Sequence, residues 1–317
     1  MNAQTFPWID DSTFYNDVHH LESLWQRVPI GQTDLPLIDL GEGGKSYPLV
    51  FVPILEHLEF VYARQLQALS RSRRVILYRR QESRTRPWGL AERADELQRV
   101  LDSLQLGQVD LLGHGDAAMV LFEFALHHPQ RCRSLTIIAQ GADYRIAPHP
   151  FIWLLHELFL RLPVEYVLPA SFLRRIVVNY ITACAPHNTT SPALPRHLIE
   201  GQFRAIKAWP PLYKRSVLPI IHSFDIRARV AELTMPILLI NRSDDVLSPE
   251  TKTRWLAQHL PHCVAYHVIP AKERFFMYAQ AEQVTQLIEA FLNAEAEAGA
   301  DHQALSIAEE ESMIQES

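Results

Sequence analysis

Residues 109–118, Val-Asp-Leu-Leu-Gly-His-Gly-Asp-Ala-Ala, carry the spacing best able to direct chemistry in this chain. They read as a buried strand, a very tight turn and then a helix. That is the setting of a nucleophile elbow, G-x-S-x-G, whose third residue presents the attacking oxygen. Here the third residue is Gly115, which has no side chain. Glycine also removes most of the steric penalty that such a bend imposes on other residues. Two histidine pairs, His19-His20 and His127-His128, lack a third ligand at metal-binding spacing, so no metal is expected.

A turn of this kind needs a sheet behind it. Runs 35–40 and 48–53 read as strands around the turn Gly41-Glu42-Gly43-Gly44, and 74–78 and 134–139 as further buried strands. Helices fit at 60–69, 90–104 and 117–127, the second with apolar residues at Leu90, Ala94, Leu97, Val100, Leu101 and Leu104. Residues 1–26 show no clear period. From 142 to 233 the chain reads as helices broken by prolines, and the strand-helix alternation resumes with 236–240, 252–259, 264–269 and 281–292. The expected fold class is α/β: a mostly parallel sheet flanked by helices, with an inserted helical cap. The expected division is a core in two parts, 1–141 and 234–294, the cap 142–233, and an acidic disordered tail 295–317.

Of the 317 residues, 48% are hydrophobic and 21% charged, enough for a substantial core. The net charge is −6, but the last 23 residues hold seven acids and no Lys or Arg, so the body is near neutral and nucleic acid is not an expected partner. Cys132, Cys184 and Cys263 form no disulfide framework. The first residues, MNAQTFPWIDD, lack the basic and apolar regions of a signal peptide, and no apolar run reaches the ~18–20 residues that span a bilayer. The expectation is a cytoplasmic protein without a transmembrane segment.

The blocks IDLGEGGKSYPLVFVP, LLGHGDAAMVLFEFALHHPQR and PILLINRSDDVLSP, with the final AEQVTQLIEAFL, resemble capped α/β-hydrolase-fold proteins. Members typically show LxGHSxGGxxAxxxAxxHPxR, which the second block matches without a gap, and the resemblance as a whole covers roughly 35–141 and 234–293. The resemblance puts the nucleophile at Gly115, the triad acid at Asp245 (with Asp244 as the alternative) and the triad histidine at Arg274. An arginine cannot act as a general base at neutral pH. Where members usually carry His-Gly for the oxyanion, this chain has Pro53-Ile54, and proline supplies no N–H. Asp116 is out of register for an aspartate nucleophile of the dehalogenase kind, since His114 is too large for the turn that register needs.

The resemblance therefore implies a protein lacking the serine nucleophile and triad histidine. The leading expectation is a non-hydrolytic pseudoenzyme without a cofactor. It would bind a small apolar or weakly anionic ligand, or a protein partner through the cap. His114, Asp116, Ile54, Leu55 and Arg79 are expected to line the binding site, and Arg274 to pair with Asp245. The arginine run around 74–78 reads either as an anion-binding rim or as a solvated face. The alternatives are a cofactor-free lyase, isomerase or cyclase of the same fold, or an esterase-like hydrolase with an altered nucleophile. The cap carries eleven Lys or Arg against six Asp or Glu over 142–232. It reads as packing on the core, or as a surface for a protein or an anionic membrane.

Overall fold

All six residues of Val109–His114 are buried in the computed structural model, as befits a strand with neighbours on both edges and helices over both faces. The structure describes residues 8–31, 33–42, 46–54, 57–82, 88–144, 158, 162, 164–182, 191–206, 211, 217–245 and 247–297. Among them, eight strands form one sheet: β1 (Gln26–Ile30), β2 (Thr33–Leu40), β3 (Leu49–Phe51), β4 (Val75–Tyr78), β5 (Val109–His114), β6 (Cys132–Ile138), β7 (Ile237–Arg242) and β8 (Cys263–Ile269). Their order is β1-β2-β4-β3-β5-β6-β7-β8. β1 pairs antiparallel with β2, and β2 with β4. All pairings beyond β4 are parallel, so the mostly parallel α/β sheet is as expected.

Helices α1 (Asp11–Ser23), α2 (Ala63–Leu69), α3 (Leu90–Ser103) and α4 (Asp116–His127) alternate with the first strands. Between β6 and β7 the described elements are helical: α5 (Val164–Val167), α6 (Ala170–Thr182), α7 (Arg196–Ala205) and α8 (Leu218–Ser223). α9 (Glu250–His259), α10 (Phe276–Ala279) and α11 (281–297) complete the chain. Residues 298–317, most of the anticipated acidic tail, lie outside the described residues. Residues 295–297 belong to α11 rather than to a frayed end.

The runs 35–40 and 48–53 both hold strands, and β4 lies between β2 and β3 in the sheet. Leu49, Val50 and Phe51 are wholly buried, and β4 and β5 cover the two edges of β3. The N-terminal stretch holds a 13-residue helix. Asp10 caps it by accepting a hydrogen bond from the Thr13 N–H at 2.9 Å. Phe14 then packs edge-on against Phe60 and Tyr278. Only Phe14 and Leu21 of this helix are buried, too sparse a stripe for periodicity to reveal.

Helix α4 crosses β5 at close range, which explains a glycine two residues before the bend. A Cβ on Gly113 would lie 2.8 Å from both the Ala118 nitrogen and Leu121 Cδ1. Gly113→Ala is expected to destabilise the protein by about 1–3 kcal/mol through overpacking. Equilibrium urea unfolding checks this, and an unchanged midpoint would show that α4 can move away freely.

Candidate active site

The bend at the end of β5 has the backbone of an elbow. Gly115 adopts φ +62° and ψ −125°, a region that side-chain-bearing residues rarely enter. Its N–H donates to the Ile138 carbonyl at 2.8 Å, and its carbonyl accepts from Ala118 N–H at 3.0 Å. α4 starts at Asp116, so the positive end of a 12-residue helix faces the space above Gly115.

Arg274 fills the seat of the absent side chain. A Cβ on Gly115 would come within 2.8 Å of Arg274 Nη2 and 3.5 Å of its Cζ. The guanidinium donates to the Ala139 carbonyl at 3.2 Å, and Nη1 lies 3.6 Å from Asp245 Oδ1. The expected Arg274–Asp245 pairing is thus present, reached from two loops and buried.

Asp245 is also held by Arg242 at the end of β7. Arg242 Nε donates to Oδ2 at 3.0 Å, while Leu247 and Ser248 N–H groups donate to Oδ1 at 2.8 and 3.0 Å. Burial alone would raise its pKa. The charges of Arg274 and Arg242 outweigh burial and hold the carboxyl below its ordinary value. Arg242 is wholly buried and donates to the Lys272 carbonyl at 3.2 Å, tying β7 to the loop that carries Arg274.

His114 has a supporting part. Its Nε2 donates to the Arg274 carbonyl at 2.9 Å, and its backbone N–H donates to the Tyr62 hydroxyl at 3.1 Å. Burial, then the Arg274 charge, lower its pKa to about 3, so the imidazole is neutral and Nε2 carries the proton. The histidine anchors the Arg274 loop over Gly115.

Arg79, anticipated for the binding site, lies just past the end of β4 and is engaged elsewhere. Arg79 pairs with Glu22 at 2.8 Å and lies 4.3 Å over the Trp25 ring. The next residue, Arg80, is the buried one. It ion-pairs with Glu82 at 2.9 Å and feels the charge of Asp116. Alternation along an extended strand explains the difference, since successive side chains point to opposite faces. Ile54, expected to line the binding site, is buried in the loop after β3. Leu55 lies outside the described residues.

Two further groups were not singled out by sequence. His57 follows Ile54 in the same loop, with Nε2 3.2 Å from Glu82 and Nδ1 3.5 Å from Glu59. Burial lowers its pKa, but the hydrogen bonds it donates to Glu59 and Glu82 outweigh that and raise it. Glu273 precedes Arg274, and its Oε1 accepts the Leu194 N–H at 3.4 Å. Burial pushes its pKa up to about 7. No signal in spacing marks either residue, since both depend on which loops meet. Among the described residues, no group of three or more His, Cys, Asp or Glu is placed to hold a metal ion.

The site therefore offers buried positive charge at the head of α4 and no side-chain nucleophile at the bend. No protein-family model matches the chain. "Putative carbamate hydrolase RutD" of Caulobacter vibrioides is 25% identical over 250 residues, covering 74% of this chain and 81% of that protein. "Pimeloyl-[acyl-carrier protein] methyl ester esterase" of Nitrosomonas europaea is 24% identical over 170 residues, covering 53% of this chain and 65% of that protein. An enol-lactonase from Burkholderia xenovorans LB400 superposes with a TM-score of 0.67 at 18% identity, covering 84% of this chain and 100% of that one.

These similarities correct the expectation of a non-hydrolytic pseudoenzyme that binds a ligand or partner. The relatives and the structural neighbour carry the names of hydrolases, which favours the alternative of a hydrolase with an altered nucleophile. An eight-stranded, mostly parallel sheet, an elbow between β5 and α4, and these neighbours together show that the chain has the α/β-hydrolase fold.

Proposed function

We propose that the protein hydrolyses an ester- or carbamate-type carbonyl bond by direct attack of water, without an acyl-enzyme. The observation that carries this reading is the Arg274 guanidinium packed over Gly115. It occupies the volume of an attacking side chain while keeping positive charge beside the head of α4. A developing oxyanion is stabilised by such preorganised charge and N–H dipoles. The names of the relatives supply the reaction class.

Glu273 is the proposed general base. As the carboxylate it takes a proton from water while the water oxygen adds to the carbonyl carbon. The tetrahedral adduct then collapses, and the departing alcohol or amine recovers the proton from Glu273. A carboxyl with a pKa near 7 is suited to both transfers at neutral pH. Asp245 and His114 act through Arg274, as positioning residues.

Hydrolysis of p-nitrophenyl esters and aryl carbamates tests the reading. Wild-type kcat/KM is expected to rise with pH through about 7 and then level, because the deprotonated carboxyl is the active form. Glu273→Gln is expected to cost about 10²-fold and to flatten that profile. A fluorophosphonate probe is expected to label nothing. Stability moves the opposite way. The folded-state pKa lies above the ordinary 4.5, so ionising Glu273 weakens the fold increasingly between about 4.5 and 7. Glu273→Gln is thus expected to be the more stable protein above pH 7. An unchanged rate in the variant would remove Glu273 from the mechanism. Absence of turnover across both substrate classes would overturn the reading.

A further inference from the structure

The two neighbours of β5 leave it at different heights. β5 stays paired with β6 as far as His114 and Ile138, and Gly115 N–H still donates to the Ile138 carbonyl. Its pairing with β3 ends at Phe51 and Leu112, followed by one bond from Val52 N–H to the Leu112 carbonyl at 2.9 Å. In a parallel ladder a residue donates to one position on its neighbour and accepts from the position two further along. The next rung would therefore run from His114 N–H to the Val52 carbonyl. The Tyr62 hydroxyl stands in its place. It accepts from His114 N–H at 3.1 Å and donates to the Val52 carbonyl at 2.9 Å.

Tyr62 is held firmly in that position. It is wholly buried at the end of the turn Glu59–Tyr62, directly before α2. Its ring meets Phe51 of β3 edge-on, with centroids 5.3 Å apart. A direct rung would keep nitrogen and oxygen about 2.9 Å apart. An oxygen inserted between them keeps them wider. The gap also falls at a particular place in the sheet. From β3 the chain passes to β4 on one side, and from β4 it crosses back over β3 to β5 on the other. Where strand order reverses in this way, open α/β sheets bind ligands in the crevice beyond the carboxyl ends of the strands. Here the crevice has Pro53 and Ile54 on one wall, following Val52, and Gly115 on the other, following His114.

We propose that Tyr62 is a positioning residue, a spacer one oxygen wide that holds the carboxyl ends of β3 and β5 apart and so admits the acyl side of an ester substrate beside Gly115. The spacing rests on the hydrogen bonds alone, and its use on a substrate rests on the hydrolytic reading above. His114 links the two, because its N–H is held by the spacer while its imidazole holds the Arg274 carbonyl.

Tyr62→Phe keeps the ring and removes the oxygen. Crystal structures of wild type and variant are expected to show the Val52 oxygen and His114 nitrogen drawn together to about 2.9 Å in the variant. Ends that stay apart, or a water in the place of the hydroxyl, would overturn the proposal. The kinetic readout is the kcat/KM for p-nitrophenyl butyrate divided by that for p-nitrophenyl acetate, a ratio that a loss of folded protein leaves unchanged. It is expected to fall about 10-fold in the variant, as the longer acyl chain loses its room. A closed gap with an unchanged ratio would reduce Tyr62 to a packing residue and also overturn the proposal. Wild-type protein without turnover would sink the hydrolytic reading instead, and the two structures would still decide whether the hydroxyl is a spacer.

Discussion

Asp245→Asn is expected to lower stability by about 3–5 kcal/mol at neutral pH, the cost of breaking a buried ion pair from one side. The Asp245 side chain is wholly buried, and it is the shared counter-ion of Arg242 and Arg274. Asparagine can still accept the Leu247 and Ser248 N–H bonds through its oxygen. What disappears is the negative charge, leaving two buried guanidinium groups facing each other across it. The pH dependence provides the control. The folded-state pKa of Asp245 is depressed below the ordinary 3.8, so its contribution is complete above that value. It is lost as pH falls further, through the folded-state value. Urea unfolding of both proteins at neutral pH and at about pH 3 should therefore show a narrowing gap. A gap of constant size would mean that shape, not charge, sets the role of Asp245.

Gly115→Ser is expected to cost about 3 kcal/mol, combining two sources. Serine would have to adopt φ +62°, a conformation of the kind that costs about 1–3 kcal/mol. Its Cβ would also press on Arg274 Nη2 at 2.8 Å. The second source is separable, because Arg274→Ala removes the obstructing group. The double variant should be more stable than the sum of the single effects predicts, by about 1 kcal/mol, since the residues are in contact. Simple additivity in the double-mutant cycle would show that Arg274 moves aside without cost. Serine alone is not expected to create a covalent nucleophile. The guanidinium over the bend cannot accept its proton, and the neutral His114 is committed to the Arg274 carbonyl.

Much of the scaffold was legible in residue order. Strand, tight turn and helix could be read from Val109 to His127 because apolar runs and glycines act over one or two turns of chain. The vacancy at Gly115 and the arginine at position 274 followed from residue type alone. The neighbour relations did not follow. β4 inserts between β2 and β3, and α1 forms on two buried residues, because burial is shared with segments far along the chain.

The working parts of the site show the same division. One position separates Arg79, pointed toward Glu22 and Trp25, from Arg80, buried near Asp116, and strand alternation decides which is which. Arg242 and Glu273 look like ordinary polar residues until β7, the Arg274 loop and Leu194 come together. His114 and the Arg274 carbonyl it holds are 160 residues apart. Local pattern thus dictated the bend, its missing side chain and the permanence of the replacing charge. That this charge covers the bend and pairs with Asp245 depends on burial and distance. Those quantities arise only when remote loops are packed against one another and water is excluded.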